Sequence, residues 1–469
     1  MAEAFGLKKL FSALDVAHAT GGTLLGSKAR AIYNVSLDSR TITPESLFVA
    51  LRGTRVDGHS FLEQALQRGA SALLIERDFY TQQQEYVLRL STQYRASCII
   101  VPHSLRALQE LARTYISCFP DLKRVGITGS SGKTTTKELV GSVIANSFPT
   151  YVSEGNLNSE IGVPLAIFGL SSAFHYAVFE MGIDHKGEMD VLVELVKPQL
   201  AIITNIGFAH LEALGSQENI ALEKKKITRY LTADDALFLF EDEPFLPCLT
   251  QDLNCKIVTY GLRSTPGLGG VEDLGLNGFA IDWEGLQILF PLVGFHNLHN
   301  ALAALSLASY LKLPPDGVKM ALEKARPLFG RAELEPGAVT ILKDCYNANP
   351  DSMAKALDFL HNLCWQGRKL AVLGSMKELG KESQALHAKL GGLAAESSLD
   401  FAFFFGAEME EAYTAWCRLR SKEQAFFFTN IEELKSKLQE VIRTGDIVLV
   451  KASRAMELER IIPLLKSIN

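Results

Sequence analysis

The sequence has little of what marks a secreted, membrane-spanning or nucleic-acid-binding protein. Its seven cysteines are widely spaced and form no C-x-x-C pair, which argues against a disulfide framework or a zinc cluster. No apolar run approaches the roughly 18 residues of a spanning helix. With 47 basic and 53 acidic side chains the net charge is −6, which argues against nucleic-acid binding through bulk positive charge. The N-terminus lacks a signal-peptide layout, so we expect a cytoplasmic protein without a membrane span. We also expect a monomer.

Length and composition favour a globular protein of several domains. At about 150 residues per domain, the 469 residues correspond to roughly three. Hydrophobic residues make up 47% and charged residues 21% of the chain, as in ordinary globular proteins. The patterning changes near Pro102 and again after Pro327. We therefore predict domains over residues 1–102, 103–328 and 329–469.

Short apolar strands alternate with helical patterns, which predicts an α/β fold with mostly parallel sheets covered on both faces. Ligands of such sheets bind at the carboxyl ends of the strands. Those ends have polar residues here, among them Thr128, Glu180, Asn205, Asp344 and Lys451, and this predicts a ligand cleft between two domains. Residues 261–278 contain six glycines and a proline, which predicts a flexible surface loop. The predicted strands are 47–51, 73–75, 98–101, 124–128, 176–180, 200–205, 339–342, 370–373, 401–405, 425–428 and 447–450.

The strongest local signal is a glycine- and serine-rich turn between a strand and a helix. Small residues let backbone N–H groups surround a phosphate, and the N-terminus of the following helix attracts anions. The lysine neutralises phosphate charge, and the hydroxyl after it coordinates Mg²⁺. The strict G-x-x-x-x-G-K-[ST] template fails at Ile127, although Gly129 supplies a turn. We predict a nucleotide-phosphate site formed by Gly129, Ser130, Ser131, Gly132, Lys133, Thr134 and Thr135.

Together with this turn, motifs along nearly the whole chain resemble those of the Mur ligases, which are ATP-dependent amide-forming enzymes of peptidoglycan synthesis. The resemblance implies a three-domain Mur ligase architecture, with a P-loop-type central parallel sheet and a Rossmann-like C-terminal domain. It assigns the UDP-linked substrate to the first predicted domain, ATP to the second and the amine acceptor to the third. The blocks are Asp38-Ser39-Arg40, 47–53, Asp57-Gly58-His59, 155–158, Glu180-Met181-Gly182, Asn205-Ile206-Gly207, His210-Leu211-Glu212, 296–301, Gly330-Arg331 and 451–454.

Two C-terminal blocks are similar to those of the family member that adds D-alanyl-D-alanine to a UDP-N-acetylmuramoyl-tripeptide. Residues 344–353 match D-x-Y-N-A-N-P-x-S-M, and residues 373–380 match L-G-D-M-x-E-L-G except that Ser375 replaces the aspartate. The resemblance implies two steps. A substrate carboxylate attacks the γ-phosphate of ATP to form an acyl phosphate, and the amine of D-alanyl-D-alanine then displaces phosphate.

The resemblance also implies roles for the catalytic and metal residues. The implied catalytic residues are Lys133, Glu180, His210 and Lys224. The implied Mg²⁺ ligands are Thr134, Glu180, His210 and a carbamylated Lys224. Thr134 and Glu180 have the hard oxygens that Mg²⁺ prefers. Composition alone makes the run Lys224-Lys225-Lys226 a solvated helix face and does not choose among the three lysines.

Further residues are carried over for ATP and for the two substrates. Asn297 and Asn300 are three apart on a predicted helix and therefore share a face, where the family binds adenine. Arg331 and Asp344 are implied to contact the nucleotide from the C-terminal domain. The UDP-linked substrate is assigned Ser39, Arg40, Asn156 and Asn158, and the acceptor region Asn347, Asn349, Lys451, Ser453 and Arg454, the last three opening the final helix.

Three other functions stay open on the sequence. The family member that adds the third amino acid shares the N-terminal blocks but lacks Y-N-A-N-P. A glutamate-adding folate ligase shares the ATPase core but should lack the Asp-Ser-Arg domain. A nucleotide-switch ATPase would need neither motif set. Measuring phosphate release from ATP with each amine acceptor in turn would distinguish these functions.

Overall fold

The computed structural model describes residues 9–53 and 56–468. Residues 1–8, on which the signal-peptide prediction mainly rests, lie outside the described residues. The chain divides into two compact units: Met1–Arg124, Tyr151–Met181 and Asp190–Lys197 form the first, and Val125–Thr150, Gly182–Met189 and Pro198–Asn469 the second. The domain boundaries at 102 and 328 stay predictions.

The first unit contains a five-stranded sheet whose central strands are buried along their whole length. Ala72 pairs in parallel with Leu47 on one side and Ser97 on the other, and apolar residues fill both faces because helices cover them. Two predicted strands, 73–75 and 98–101, are confirmed. The elements are β1 (Phe11–Ser12), α1 (Ala13–Thr20), β2 (Thr23–Leu25), β3 (Ala31–Ile32), β4 (Asn34–Ser36), β5 (Ser46–Val49), α2 (Leu62–Gln67), β6 (Ala70–Glu76), α3 (Arg77–Gln82), α4 (Gln84–Tyr94), β7 (Ser97–Val101) and α5 (Ser104–Ile116), with sheet order β2-β7-β6-β5-β4.

Residues 123–323 contribute elements to both units, and four of their strands, β8, β11, β12 and β13, pair in parallel as the alternating pattern predicted. Ile202 lies between Ile127 of β8 and Phe238 of β12. The elements of this stretch are β8 (Lys123–Thr128), α6 (Lys133–Ala145), β9 (Thr150–Val152), α7 (Gly162–Ile167), β10 (Tyr176–Glu180), α8 (Glu188–Val196), β11 (Leu200–Ile203), α9 (Leu211–Leu214), α10 (Gln217–Lys225), β12 (Ala236–Phe240), α11 (Leu246–Thr250), β13 (Lys256–Tyr260), β14 (Leu268–Asp273), β15 (Phe279–Trp283), β16 (Leu286–Phe290), α12 (Phe295–Tyr310) and α13 (Pro315–Glu323).

The prediction of a flexible loop over 261–278 is wrong. Strand β14 occupies its middle part, residues 268–273, and pairs antiparallel with β15, which pairs with β16. Apolar side chains of β15, Phe279 and Ile281 among them, are buried and anchor this small sheet. The glycines mislead because a strand held by a neighbouring strand does not depend on its own propensity.

The C-terminal stretch forms a six-stranded sheet that is parallel except for its antiparallel edge strand β17. In the phenylalanine-rich strand Phe401–Phe405, alternate residues pack on opposite faces of the sheet. Phe404 packs against Trp416 on one face, and Phe403 packs with Leu434 on the other. The five predicted strands are confirmed. The elements are β17 (Glu333–Glu335), β18 (Thr340–Asp344), α14 (Pro350–Asn362), β19 (Lys369–Gly374), α15 (Ser383–Glu396), β20 (Phe401–Phe405), α16 (Glu410–Leu419), β21 (Ala425–Phe428), α17 (Ile431–Val441), β22 (Ile447–Lys451) and α18 (Ile462–Lys466), with order β17-β18-β22-β19-β20-β21.

One expectation about the C-terminus is wrong: Lys451, Ser453 and Arg454 do not open the final helix. Lys451 ends β22, Arg454 begins a short 3₁₀ turn, and the helix starts only at Ile462. The left-handed backbone of Glu457 (φ 48°) interrupts any helix that begins at Ser453. Pro463 then stands in the first turn of α18, where its missing N–H costs nothing.

No helix within the described ranges is long and apolar enough to cross a lipid bilayer. The seven cysteines all lie in those ranges and are free thiols.

The packing of α15 on α16 generates a stability prediction. A Cβ added at Gly391 would lie 2.0 Å from the carbonyl oxygen of Ala412, so Gly391→Ala forces two helix backbones apart. We expect it to lower the free energy of unfolding by about 1–3 kcal/mol. The neighbouring Gly392 has open space around its Cβ position, so Gly392→Ala should raise that free energy by up to about 1 kcal/mol. Urea unfolding measures both, and equal effects of the two variants would contradict the packing.

Candidate active site

The glycine- and serine-rich turn joins β8 to α6 as predicted, and two of its glycines are required by close contacts. Gly129 has φ 150°, and a Cβ there would lie 1.8 Å from the Thr204 hydroxyl oxygen. Gly132 has φ 80°, and its Cβ would lie 2.6 Å from Asn300 Oδ1. The turn therefore has no room for side chains at the two positions where its backbone bends.

Residues that follow β11 hold this turn in place. Asn205 accepts the Ser130 N–H at its carbonyl oxygen and the Ser131 N–H at Oδ1, both at 2.9 Å. The Thr204 hydroxyl donates to the Ser131 carbonyl at 2.6 Å. The Gly207 N–H donates to the Ser130 hydroxyl at 2.8 Å. Sequence reasoning marked Asn205 as a polar strand end but gave it no role, and it missed Thr204.

Two lysines converge on one carbonyl of the turn. Lys133 Nζ donates to the Gly129 carbonyl at 2.9 Å, and Lys224 Nζ donates to it at 3.0 Å. Lys224 is only 1% exposed. Burial holds the pKa of Lys224 well below its ordinary value, the charge of Lys133 lowers it further, and Asp184 opposes the shift. A neutral amine is thereby favoured at this position.

The structure distinguishes the three lysines that the sequence did not. Lys225 donates to the carbonyls of Cys248 and Gln251 at 2.8 and 2.7 Å, away from the phosphate turn. Lys226 forms an ion pair with Glu223 at 2.7 Å. Lys224, by contrast, contacts the phosphate turn.

Glu180 ends β10 and is 2% exposed. Its Oε1 accepts from Asn158 Nδ2 at 2.7 Å, whereas the buried Oε2 has no hydrogen-bond partner among the described residues. A buried carboxylate oxygen left in this state is costly unless a cation satisfies it. The donor chemistry therefore fits a hard divalent cation such as Mg²⁺.

Thr134 lies in the first turn of α6, and its hydroxyl accepts from Arg331 Nη2 at 3.0 Å. The guanidinium of Arg331 also lies 4.3 Å from the centre of the Tyr346 ring. No group of three histidine, cysteine, aspartate or glutamate side chains in the described ranges is arranged to hold a metal. A Mg²⁺ ion at the first turn of α6 would use the Thr134 hydroxyl together with ligands from the nucleotide and water.

His210 adopts a left-handed backbone (φ 58°), and its Nδ1 lies 2.6 Å from Glu378 Oε2 and 3.4 Å from Asp184 Oδ1. The hydrogen bond with His210 lowers the pKa of Glu378. Histidines that bind metals commonly have a carboxylate on the second ring nitrogen. The predicted metal role of His210 stays a prediction, and sequence reasoning missed Glu378.

Asn297 and Asn300 lie on one buried face of α12, as predicted. Asn300 Oδ1 accepts from the Thr136 hydroxyl at 3.1 Å, and Asn297 Nδ2 donates to the Val293 carbonyl at 2.9 Å. Next to Asn297, His296 has a pKa lowered to about 4 by burial, and its buried Nδ1 has no hydrogen-bond partner in the described ranges. His296 is thus neutral at pH 7.

Among the remaining C-terminal candidates, Asp344 and Lys451 pair with each other, whereas Ser453 and Asn349 form hydrogen bonds with residues outside the predicted set. Asp344 forms an ion pair with Lys451 at 2.6 Å and accepts the Ala332 N–H at 3.2 Å. The Ser453 hydroxyl accepts the Lys377 N–H at 3.0 Å. Asn349 accepts the Ser352 N–H at 2.8 Å and caps α14, so it has a structural function there.

Of the other predicted substrate residues, Ser39 is buried, whereas Arg40, Asn156, Asn347 and Arg454 are exposed. Asn347 Oδ1 accepts the Ala348 N–H at 2.9 Å, and Arg454 pairs with Glu459 at 2.5 Å. In the first unit, the Ser39 hydroxyl donates to Gln64 Oε1 at 2.6 Å, Arg40 pairs with Asp38 at 2.7 Å, and Asn156 is exposed. The substrate roles of these residues stay predictions.

The buried amine of Lys224 generates a pH prediction. Because its pKa is lower in the folded chain than in the unfolded chain, the unfolded state binds more protons between the two values, and stability rises with pH there. Lys224→Met should remove this contribution and flatten the rise of the unfolding free energy between neutral and alkaline pH. Urea titrations in buffers free of CO₂ measure it, with Lys225→Met as the control that should keep the wild-type slope. An unchanged slope in Lys224→Met would refute the buried neutral amine.

Comparison with known proteins covers almost the whole chain. The family models that match are the Mur ligase family catalytic domain over residues 31–116, the Mur ligase middle domain over 127–308 and the glutamate ligase domain over 330–454. The chain is 41% identical to the UDP-N-acetylmuramoyl-tripeptide–D-alanyl-D-alanine ligase of Treponema pallidum, over 93% of this chain and 95% of that protein. It is 33% identical to the ligase of the same name in Bacillus subtilis, over 96% of each.

Solved structures agree with these matches. MurF from Acinetobacter baumannii is similar with a TM-score of 0.86 at 28% identity, over 98% of this chain and 99% of that one. The MurF ligase of Thermotoga maritima in complex with ADP is similar with a TM-score of 0.78 at 28% identity, over 92% and 97%. The three-domain α/β architecture predicted from the motifs is therefore confirmed, and the chain belongs to the Mur ligase family.

Proposed function

We propose that this chain is an ATP-dependent, ADP-forming ligase that joins D-alanyl-D-alanine to a UDP-N-acetylmuramoyl-tripeptide in peptidoglycan precursor synthesis. The observation that carries the proposal is the 41% identity, over nearly the full length of both chains, to a ligase named for these two substrates. The chain also has the acceptor signature at residues 344–353. We propose further that it acts in the cytoplasm, as a monomer.

The first step brings a carboxylate to a polyanion, so charge neutralisation and positioning must supply most of the catalysis. An oxygen of the substrate carboxylate forms a bond to the γ-phosphorus, the bond from that phosphorus to the bridging oxygen breaks, and ADP leaves. Lys133 and Arg331 are the cations that we assign to the phosphates, because both contact the phosphate turn or its following helix. The N-terminus of α6 adds the aligned N–H groups of its first turn.

The second step forms the amide. The amine nitrogen of D-alanyl-D-alanine attacks the acyl carbon, inorganic phosphate leaves with the electrons of the acyl–oxygen bond, and the amine loses a proton. The acyl phosphate must be shielded from water until the amine arrives. We assign the acceptor to the residues around Asn347, Ser453 and Arg454, at the carboxyl ends of β18 and β22.

Mg²⁺ is the cofactor that the donor set favours. We assign it to Thr134 and Glu180, with His210 and a modified Lys224 as further candidates. Bound there, the ion would neutralise phosphate charge. The observation that supports this assignment is that Glu180 Oε2, although buried, has no hydrogen-bond partner within residues 9–53 and 56–468.

We propose that Lys224 is carbamylated. Only an unprotonated amine adds CO₂, and burial beside Lys133 favours the unprotonated form. The nitrogen forms a bond to the carbon of CO₂ and releases a proton, which leaves a carboxylate-like anion. The modification would replace repulsion between Lys224 and Lys133 by attraction, and would supply a hard oxygen ligand.

The acceptor requirement tests the proposed reaction. We expect phosphate release from ATP only when both UDP-N-acetylmuramoyl-tripeptide and D-alanyl-D-alanine are present. Free lysine or diaminopimelate supplied with the UDP-linked dipeptide serves as the matched control and should give only background. Release with a single amino acid instead would identify the ligase that adds the third residue, and release without either substrate would favour a switch ATPase.

The modification has its own test. Lys224→Ala should lower kcat by about 10²–10³-fold, because an anion that organises the phosphate site is lost. Added formate or acetate should restore part of the rate by occupying the vacated space. Lys225→Ala is the control and should keep wild-type activity without any response to carboxylates. Full activity of Lys224→Ala, or equal stimulation of both variants by formate or acetate, would refute the proposed carbamylation of Lys224.

A further inference from the structure

The stretch Asn205–Glu212, here called the support segment, lies between the phosphate turn and the C-terminal part of the chain. On one side its residues hold Ser130 and Ser131 through the three hydrogen bonds of Asn205 and Gly207 described above. Its backbone therefore sets the position of the turn that we assign to ATP.

On its other side, the support segment is held by two acidic residues from the region matched by the glutamate ligase model. Asp351 Oδ2 accepts the Phe208 N–H at 3.0 Å. Glu378 Oε2 lies 2.6 Å from His210 Nδ1, and the Glu378 carbonyl accepts the Glu212 N–H at 3.0 Å. Three contacts thus join residues 351 and 378 to a segment that is more than 130 residues away in sequence.

The backbone around these contacts is closely packed and locally strained. A Cβ at Gly207 would lie 2.0 Å from Asp351 Oδ2, so a residue without a side chain lets the carboxylate approach the backbone. His210 and Glu378, which face each other, both adopt left-handed backbones, at φ 58° and 64°. Such conformations in residues other than glycine persist only where surrounding contacts hold them.

We propose that Asp351 and Glu378 are positioning residues that make the geometry of the phosphate turn and of His210 depend on docking of the C-terminal domain. The proposal rests on the proposed ligase function. Neither residue needs to touch ATP. Each acts through the support segment, so that phosphoryl transfer is fast only when the domain that carries the acceptor site is in place.

The experiment compares Asp351→Ala and Glu378→Ala with their conservative variants Asp351→Asn and Glu378→Gln, whose amide oxygens still accept a hydrogen bond. Exposed acids on the same elements, Asp358 on α14 and Glu382 before α15, supply alanine controls. We expect the two test alanine variants to lower kcat about 10–100-fold while KM for the UDP-linked substrate stays within about twofold. The conservative variants should recover most of kcat, and the controls should match wild type.

Hydrogen exchange in the protein without nucleotide gives a readout that does not depend on activity. In Asp351→Ala and Glu378→Ala, a peptide covering residues 205–212 should exchange about fivefold faster, which corresponds to the loss of one hydrogen bond. Peptides from β11 and β20 should be unchanged. A general loss of protection across the second unit would mean a merely structural role and would overturn the proposal.

Two further outcomes are decisive. Wild-type kcat in both alanine variants, or an equal loss in the conservative variants, would overturn the positioning role while leaving the ligase assignment intact. The wild-type protein in the same assay reports on that assignment separately: if it releases no phosphate with the two substrates, the proposed function fails and the positioning proposal falls with it.

Discussion

The hydrogen bonds between the phosphate turn and the residues after β11 are the interaction on which the rest of the site depends. A turn rich in glycine and serine is intrinsically flexible, and its N–H groups bind an anion well only when their directions are fixed beforehand. Asn205 supplies that order by accepting two successive N–H groups, and Thr204 holds a carbonyl on the same turn. The parallel pairing of β8 with β11 brings the two stretches together.

Charge is the second constraint. The chain has a net charge of −6, yet ATP and the proposed UDP-linked substrate are both anionic. The answer is local concentration of positive charge: Lys133 contacts the phosphate turn, and Arg331 contacts the first turn of α6. Two ammonium groups on one carbonyl repel each other, and the lowered pKa of Lys224 relieves that repulsion. The same relief prepares Lys224 for reaction with CO₂.

Much of the fold followed from local patterns. The buried parallel strands, the phosphate turn and the asparagine pair on α12 were predictable because each depends on short-range periodicity or on a fixed motif. The glycine-rich stretch before β15 was mistaken for a loop, because its strand is stabilised by a partner rather than by its own residues. The sequence places the start of the final helix at Lys451, whereas the helix begins at Ile462. The intervening 3₁₀ turns have no apolar periodicity that would reveal them.

The contacts that complete the site were largely outside the reach of sequence reasoning. Glu378 and Asp351 lie more than 140 residues away in sequence from the backbone that they hold, and the identity of a charged residue does not indicate which amide it will contact. Composition likewise does not choose Lys224 among three adjacent lysines, although the resemblance does, because the burial of Lys224 depends on how α10 packs. The motifs predict the type of reaction, and the tertiary contacts show which side chains hold the residues of the site in position.

The central claim is that the site activates a substrate carboxylate as an acyl phosphate before the amine reacts. Positional isotope exchange with ATP labelled by ¹⁸O in the β–γ bridge measures this step directly, because reversible cleavage lets the label move into non-bridging positions of the β-phosphate. The account predicts scrambling that requires the UDP-linked tripeptide and Mg²⁺ but not D-alanyl-D-alanine. Scrambling that does not need the tripeptide, or none at all in an enzyme that turns over with both substrates, would contradict it.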